Sequence, residues 1–98
     1  MLYRLDRLIL SLDTRTLTKD EGGSVSLPPK EFELLNILLQ HRPQVILKDT
    51  LHQRLWPNTY VWDSSLATVV AHLRDLLGDH SRTPRFIRTV HRFGYAFC

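Results

Sequence analysis

The 98-residue chain reads as a single α+β domain over residues 1–98: a small antiparallel sheet, then three helices, then a β-hairpin. Three observations carry that reading. Near the start, apolar residues fall at alternate positions between turn-forming clusters, the pattern of half-buried strands. Further on, Leu66, Val69, Val70, Leu73, Leu76 and Leu77 recur at helical spacing, which turns one face of an amphipathic helix to a core. At the end, residues 87–97 read as a hairpin turning near Arg92-Phe93-Gly94.

Residues 2–27 supply the sheet. Leu8, Leu10 and Leu12 alternate with Ile9 and Ser11, a further strand follows Asp13-Thr14 over residues 15–18, and Glu21-Gly22-Gly23 is a turn before Val25-Ser26-Leu27. Pro29 suits the first turn of a helix, where a backbone N–H has no helical partner anyway. That helix carries Phe32, Leu35, Leu38 and Leu39 on one face and ends at His41-Arg42-Pro43. A second helix covers residues 48–56 with Leu51, Leu55 and Trp56 inward, and Pro57-Asn58 stops it. Asp63 or Ser64 caps the third helix, and Gly78 with Asp79 marks its end. With Leu73, Phe86, Ile87, Tyr95 and Phe97, these apolar residues account for a core and need no cofactor to explain them.

Composition narrows the class of function. The net charge is +3, with 43% hydrophobic and 23% charged residues, enough apolar material for one core and a mildly basic balance that suits nucleic acid or an anionic surface. The charge is unevenly placed. Asp6, Asp13, Asp20, Glu21, Glu31 and Glu33 offset the basic residues of the first third, whereas residues 82–98 hold no acid and contain Arg82, Arg85, Arg88, His91 and Arg92. Cys98 is the only cysteine and the last residue, so there is no disulfide framework and no CxxC metal pair, and a reducing, cytoplasmic setting fits best. No apolar run approaches the ~20 residues that span a bilayer, and the start lacks a signal-peptide pattern, so this segment is expected not to be membrane-embedded.

Catalysis finds no support. The five histidines, His41, His52, His72, His80 and His91, have neither the spacing nor the cysteine neighbours of a metal site. His72 and Asp75 share a helix face, yet no serine or cysteine nucleophile stands near them in a recognisable motif, and they read as a surface pair. Glu21-Gly22-Gly23-Ser24 lacks the helix and lysine of a phosphate loop. No cofactor, metal or catalytic residue is therefore expected.

Four stretches in fixed order carry a resemblance over essentially the whole chain. They are Leu27-Pro28-Pro29-Lys30-Glu31-Phe32-Glu33-Leu34-Leu35; Leu51 with Leu55-Trp56; Leu73-Arg74 with Leu77-Gly78-Asp79; and Pro84-Arg85-Phe86-Ile87-Arg88-Thr89-Val90 leading to Phe93-Gly94-Tyr95-Ala96-Phe97. Together they resemble the OmpR/PhoB-type winged helix-turn-helix DNA-binding domain of bacterial transcriptional regulators, a family of phosphorelay signalling. Residues 61–79 look closest to its membrane-anchored or stand-alone members, which lack a phosphorylated receiver domain; the resemblance thus also admits the cytoplasmic part of a longer membrane-anchored regulator.

The resemblance implies a role for each element. The third helix enters the major groove of double-stranded DNA, the hairpin wing reaches the minor groove, and the loop between the second and third helices faces RNA polymerase. It also implies a homodimer on DNA. By position, the groove side of the third helix is Ser64, Ser65, Thr68, Ala71, His72 and Arg74, and the wing supplies Arg88, Thr89, His91 and Arg92, with Arg85 just before it. Arginines neutralise phosphates, while serine and threonine hydroxyls bond phosphate or base edges. His91 stands where the family often carries an arginine, and its imidazole adds positive charge only when protonated. Tyr60 and Trp62 in the loop lack a core register; lateral packing on the second helix and a partner surface both fit them. Ala71, His72 and Asp75 stand where the family usually has several basic residues, which motivates a rival reading as a winged-helix protein-interaction module. Pro28 and Leu47 replace the family's serine or threonine caps, each lost cap costing ~1 kcal/mol of local stability.

Overall fold

The computed structural model describes residues 1–79 and 82–98, so His80, weighed above as a metal ligand, lies outside the described residues. Four strands come first, β1 (Leu2–Leu5), β2 (Leu8–Ser11), β3 (Thr16–Lys19) and β4 (Ser24–Ser26), paired antiparallel in the order β1-β2-β3-β4. Leu10 faces Leu17 across β2 and β3, and both side chains are fully buried, so this pair fixes which face of the sheet turns inward. Leu8 and Leu12 are half-buried along its margin.

Helix α1 (Pro29–His41) begins at the expected proline and ends at the expected place, with Arg42 as its C-cap. It buries Leu34 and Ile37 as well as Phe32, Leu35, Leu38 and Leu39, a wider surface than one face, because other elements surround it. The sheet lies on one side, where Arg15 stacks 4.8 Å over the Phe32 ring and Gln40 Nε2 donates to the Tyr3 hydroxyl at 3.1 Å. Helices α2 (Lys48–Leu55) and α3 (Asp63–Leu77) cover the other, through Leu51, Leu55, Leu66, Val69, Val70, Leu73 and Leu77. Pro28 and Leu47 are the N-caps of α1 and α2, and neither supplies a side-chain hydrogen bond, as their residue types require. The Lys30 ammonium instead bonds the Leu55 carbonyl and so closes the far end of α2.

Helix α3 starts one residue earlier than expected. Trp62 is its N-cap, and neither Asp63 nor Ser64 caps it. The Asp63 carboxylate lies beside His52 on α2 instead, Oδ1 3.3 Å from Nε2. At the other end Gly78 takes the left-handed conformation, φ 70°, and the chain leaves the helix through Asp79.

The C-terminal hairpin consists of β6 (Ile87–Val90) and β7 (Gly94–Phe97). A two-residue strand, β5 (Ile46–Leu47), joins it in a second antiparallel sheet of order β5-β7-β6. Strand β5 is too short to show any periodicity in sequence. Gly94 is required where β5 and β7 meet, because a Cβ there would run into the Ile46 carbonyl. Phe86, Ile87, Tyr95 and Phe97 close the core beneath the hairpin, as expected.

Candidate nucleic-acid interface

Helical geometry divides α3 into an inner and an outer surface. Leu66, Val69, Val70, Leu73 and Leu77 point inward, which leaves Ser64, Thr68, Ala71 and Asp75 along an outer line at spacings of three and four. Ala67 and His72 flank that line and are also exposed, and Ser65 is half-buried. The Thr68 hydroxyl donates to the Ser64 carbonyl at 2.8 Å, so toward solvent it offers lone pairs rather than its proton.

Two polar residues of the helix are directed sideways. The Arg74 guanidinium donates to the Ile87 carbonyl at 2.8 Å and to the Thr89 hydroxyl at 2.7 Å, and is half-buried in doing so. It pins strand β6 to α3 and thereby sets the angle between helix and wing. His72 leans the other way, its Nδ1 lying 3.1 Å from Oε2 of Glu31 on α1. The expected surface pair of His72 with Asp75 is therefore not formed: His72 sits on the α1 flank of the helix, where a buried carboxylate competes for it. The Asp75 carboxylate makes no hydrogen bond or ion pair with any described residue and faces solvent.

The wing is anchored at its base and its turn, and the cationic side chains near its tip stand free among the described residues. Asp79, almost fully buried, accepts from the backbone amides of Arg85 at 2.7 Å, Phe86 at 3.3 Å and Ile87 at 2.9 Å. The Arg85 side chain forms an ion pair with Asp6 in the β1–β2 turn, so one cation of the acid-free segment is met by an acid from the opposite end of the chain. Beyond it, the side chains of Arg88, His91 and Arg92 are exposed and have no partner among the described residues. The Phe93 amide closes the turn onto the Val90 carbonyl at 2.9 Å, and the Phe93 carbonyl accepts from the Lys48 amide at 2.9 Å, which ties the tip to the start of α2. Arg92 occupies the left-handed region at φ 70°, an unfavourable conformation for a side-chain-bearing residue, in the turn that carries its guanidinium outward.

In the loop between α2 and α3, Tyr60 and Trp62 are 82% and 72% exposed. The rings pack edge to face against each other, centroids 5.9 Å apart, so of the two readings open in the sequence the lateral packing on α2 is not observed. Trp56, expected inward, is half-buried beneath the Lys30 ammonium, which lies 5.6 Å from its ring centroid.

Three helices with an N-terminal four-stranded sheet and a C-terminal hairpin pinned to the last helix define a winged helix-turn-helix. Residues 22–97 match the family described as "Transcriptional regulatory protein, C terminal". The chain belongs to this family, which is one of DNA-binding transcription regulators and not of enzymes. It is similar to the alkaline phosphatase synthesis transcriptional regulatory protein PhoP of Bacillus subtilis, 35% identical over 74 residues, covering 74% of this chain and 31% of that protein. It resembles the structure of the Klebsiella pneumoniae RstA DNA-binding domain in complex with the RstA box, TM-score 0.83 and 28% identity, covering 99% of this chain and 96% of that one. It also resembles the response regulator DrrB, an OmpR/PhoB homologue of Thermotoga maritima, TM-score 0.86 and 29% identity, covering 98% of this chain and 43% of that one. The chain spans 17% to 40% of the length of the first curated relatives it matches.

Sequence reasoning missed two residues of this site. Glu31 reads as one of several balancing acids, and only the long-range contact with His72 singles it out. Asp79 reads as a helix terminus, although an acid directly after a left-handed glycine is placed to collect the amides that follow.

Proposed function

We propose that the chain binds double-stranded DNA as the DNA-binding unit of a transcription regulator, with the outer line of α3 in the major groove and the wing tip at the adjacent minor groove. The observation that carries this is the pairing of an exposed, small and polar helix face with a neighbouring hairpin whose Arg88 and Arg92 are unneutralised among the described residues. Unpaired arginines at a hairpin tip supply phosphate affinity through counterion release, and the Arg74 clamp holds that tip at a fixed angle to the helix. Ser64, Ser65, Thr68, Ala71 and His72 supply base or backbone contacts. In this reading Arg74 and Thr89 act mainly by holding the wing, and Arg85 contributes little net charge beside Asp6.

The similar RstA domain supports the same reading, since its structure is that of a complex with the RstA box. The exposed Tyr60–Trp62 pair supports a protein contact beside the DNA, with RNA polymerase as the partner. Residues 1–98 act as one domain, a second copy sits beside it on the operator, and the chain works in the cytoplasm. Among the described residues no helix is long and apolar enough to cross a membrane.

Fluorescence anisotropy with a random-sequence duplex tests the reading at two salt concentrations. Binding in the micromolar range at low salt, falling as a power of the salt concentration, is expected. Absence of salt-sensitive binding would favour the protein-interaction module instead.

A further inference from the structure

We infer that Glu31 sets the base preference of the chain by fixing which nitrogen of His72 faces the DNA; this rests on the DNA-binding reading above. Glu31 is the third residue of α1, and Pro28 is the N-cap. A glutamate at that position ordinarily reaches back to the amide of the N-cap residue. Pro28 has no amide hydrogen, so that partner does not exist in this chain. The Glu31 side chain is nonetheless only 9% exposed, and a carboxylate so buried is strongly disfavoured unless a donor meets it. The donor is Nδ1 of His72 on the groove-facing helix, at 3.1 Å.

The imidazole is 62% exposed, so one side of it is held by protein and the rest is presented outward. A carboxylate can only accept, so the proton of the neutral ring is kept on Nδ1, and Nε2 is left as a bare lone pair. Such an atom accepts from the exocyclic amino group of cytosine or adenine in the major groove. It repels guanine, whose O6 and N7 are acceptors too, and thymine, whose O4 is one. An untethered histidine could place a proton on Nε2 and accommodate guanine equally well. Glu31 is thus a positioning residue: it disfavours the bases that present only acceptors, without touching DNA.

Two measurements test this, both at pH 8.5, above the range in which histidine side chains titrate. The first needs no DNA. Nitrogen chemical shifts of the His72 ring in the free protein should report the Nδ1–H tautomer, and Glu31→Gln, whose amide can donate to Nδ1, should admit the Nε2–H form. A predominant Nε2–H tautomer in the parent would overturn the inference even if DNA binding stands. The second measures affinities for a selected duplex and its single-base-pair variants. The parent should disfavour guanine at least about five-fold at one position, the low end of what a base contact discriminates. Glu31→Gln should lose that preference there and keep it elsewhere. His72→Ala should lose it as well, and the double variant should match His72→Ala within about two-fold. An even loss of affinity across the panel in Glu31→Gln, or equal effects of that change with and without His72, would reduce Glu31 to a structural role. A parent that binds no duplex would instead remove the DNA reading, and the inference with it.

Discussion

Arginines that look alike in the sequence of the wing differ in what they offer a phosphate. Arg88 and Arg92 are exposed and unpaired among the described residues, whereas Arg85 is already met by Asp6. Each phosphate neutralised contributes about 0.9 to the slope of log affinity against log salt. Replacing Arg88 and Arg92 together by alanine should therefore flatten that slope by about two units, on specific and random duplexes alike, while Arg85→Ala should change it by less than one. Equal effects of the two variants would mean that the Asp6 pair opens on DNA. Asp75 presents the opposite case, a carboxylate on the outer line of α3 that is unpaired among the described residues. If that line meets phosphate, Asp75→Lys should tighten random-duplex binding and steepen the slope by about one unit; an unchanged affinity would turn this end of the helix away from DNA.

At the scale of elements, the wing depends on two attachments to α3. Arg74 clamps strand β6 from the last turns of the helix, and Asp79 gathers the three amides that open the strand. Removing the Asp79 carboxylate would leave buried donors without an acceptor, which costs more than one ordinary hydrogen bond contributes. Asp79→Ala should lower stability by about 2–4 kcal/mol in urea unfolding. A loss below about 0.5 kcal/mol would show that other groups satisfy those amides. Because the wing would be loosened at its base, the same variant should also bind DNA less tightly after correction for the folded fraction.

Over the whole molecule, the parts legible in the sequence are those written in local pattern. Proline and glycine mark the start of α1 and the end of α3, the apolar stripe fixes the inner face of α3, and Leu10 and Leu17 orient the first sheet. What could not be read depends on distant parts of the chain meeting in space. Strand β5 exists because β7 offers it an edge, Arg85 is neutralised by a turn near the N-terminus, and His72 finds Glu31 rather than its neighbour Asp75. Those long-range contacts decide which of the residues suited to DNA remain available to it. Arg74 and Thr89 suit the chemistry as well as Arg88 does, yet they are bonded to each other.

In the proposed complex one face, made of the outer line of α3 and the wing tip, receives DNA. Titration of the nitrogen-15-labelled protein with a short duplex, followed by amide chemical shifts, tests it most directly. Shifts should concentrate at Ser64, Thr68, Ala71 and His72 and at residues 88–93, with β1 to β3 little changed. Shifts confined to the Tyr60–Trp62 loop, or none at duplex concentrations well above micromolar, would contradict it.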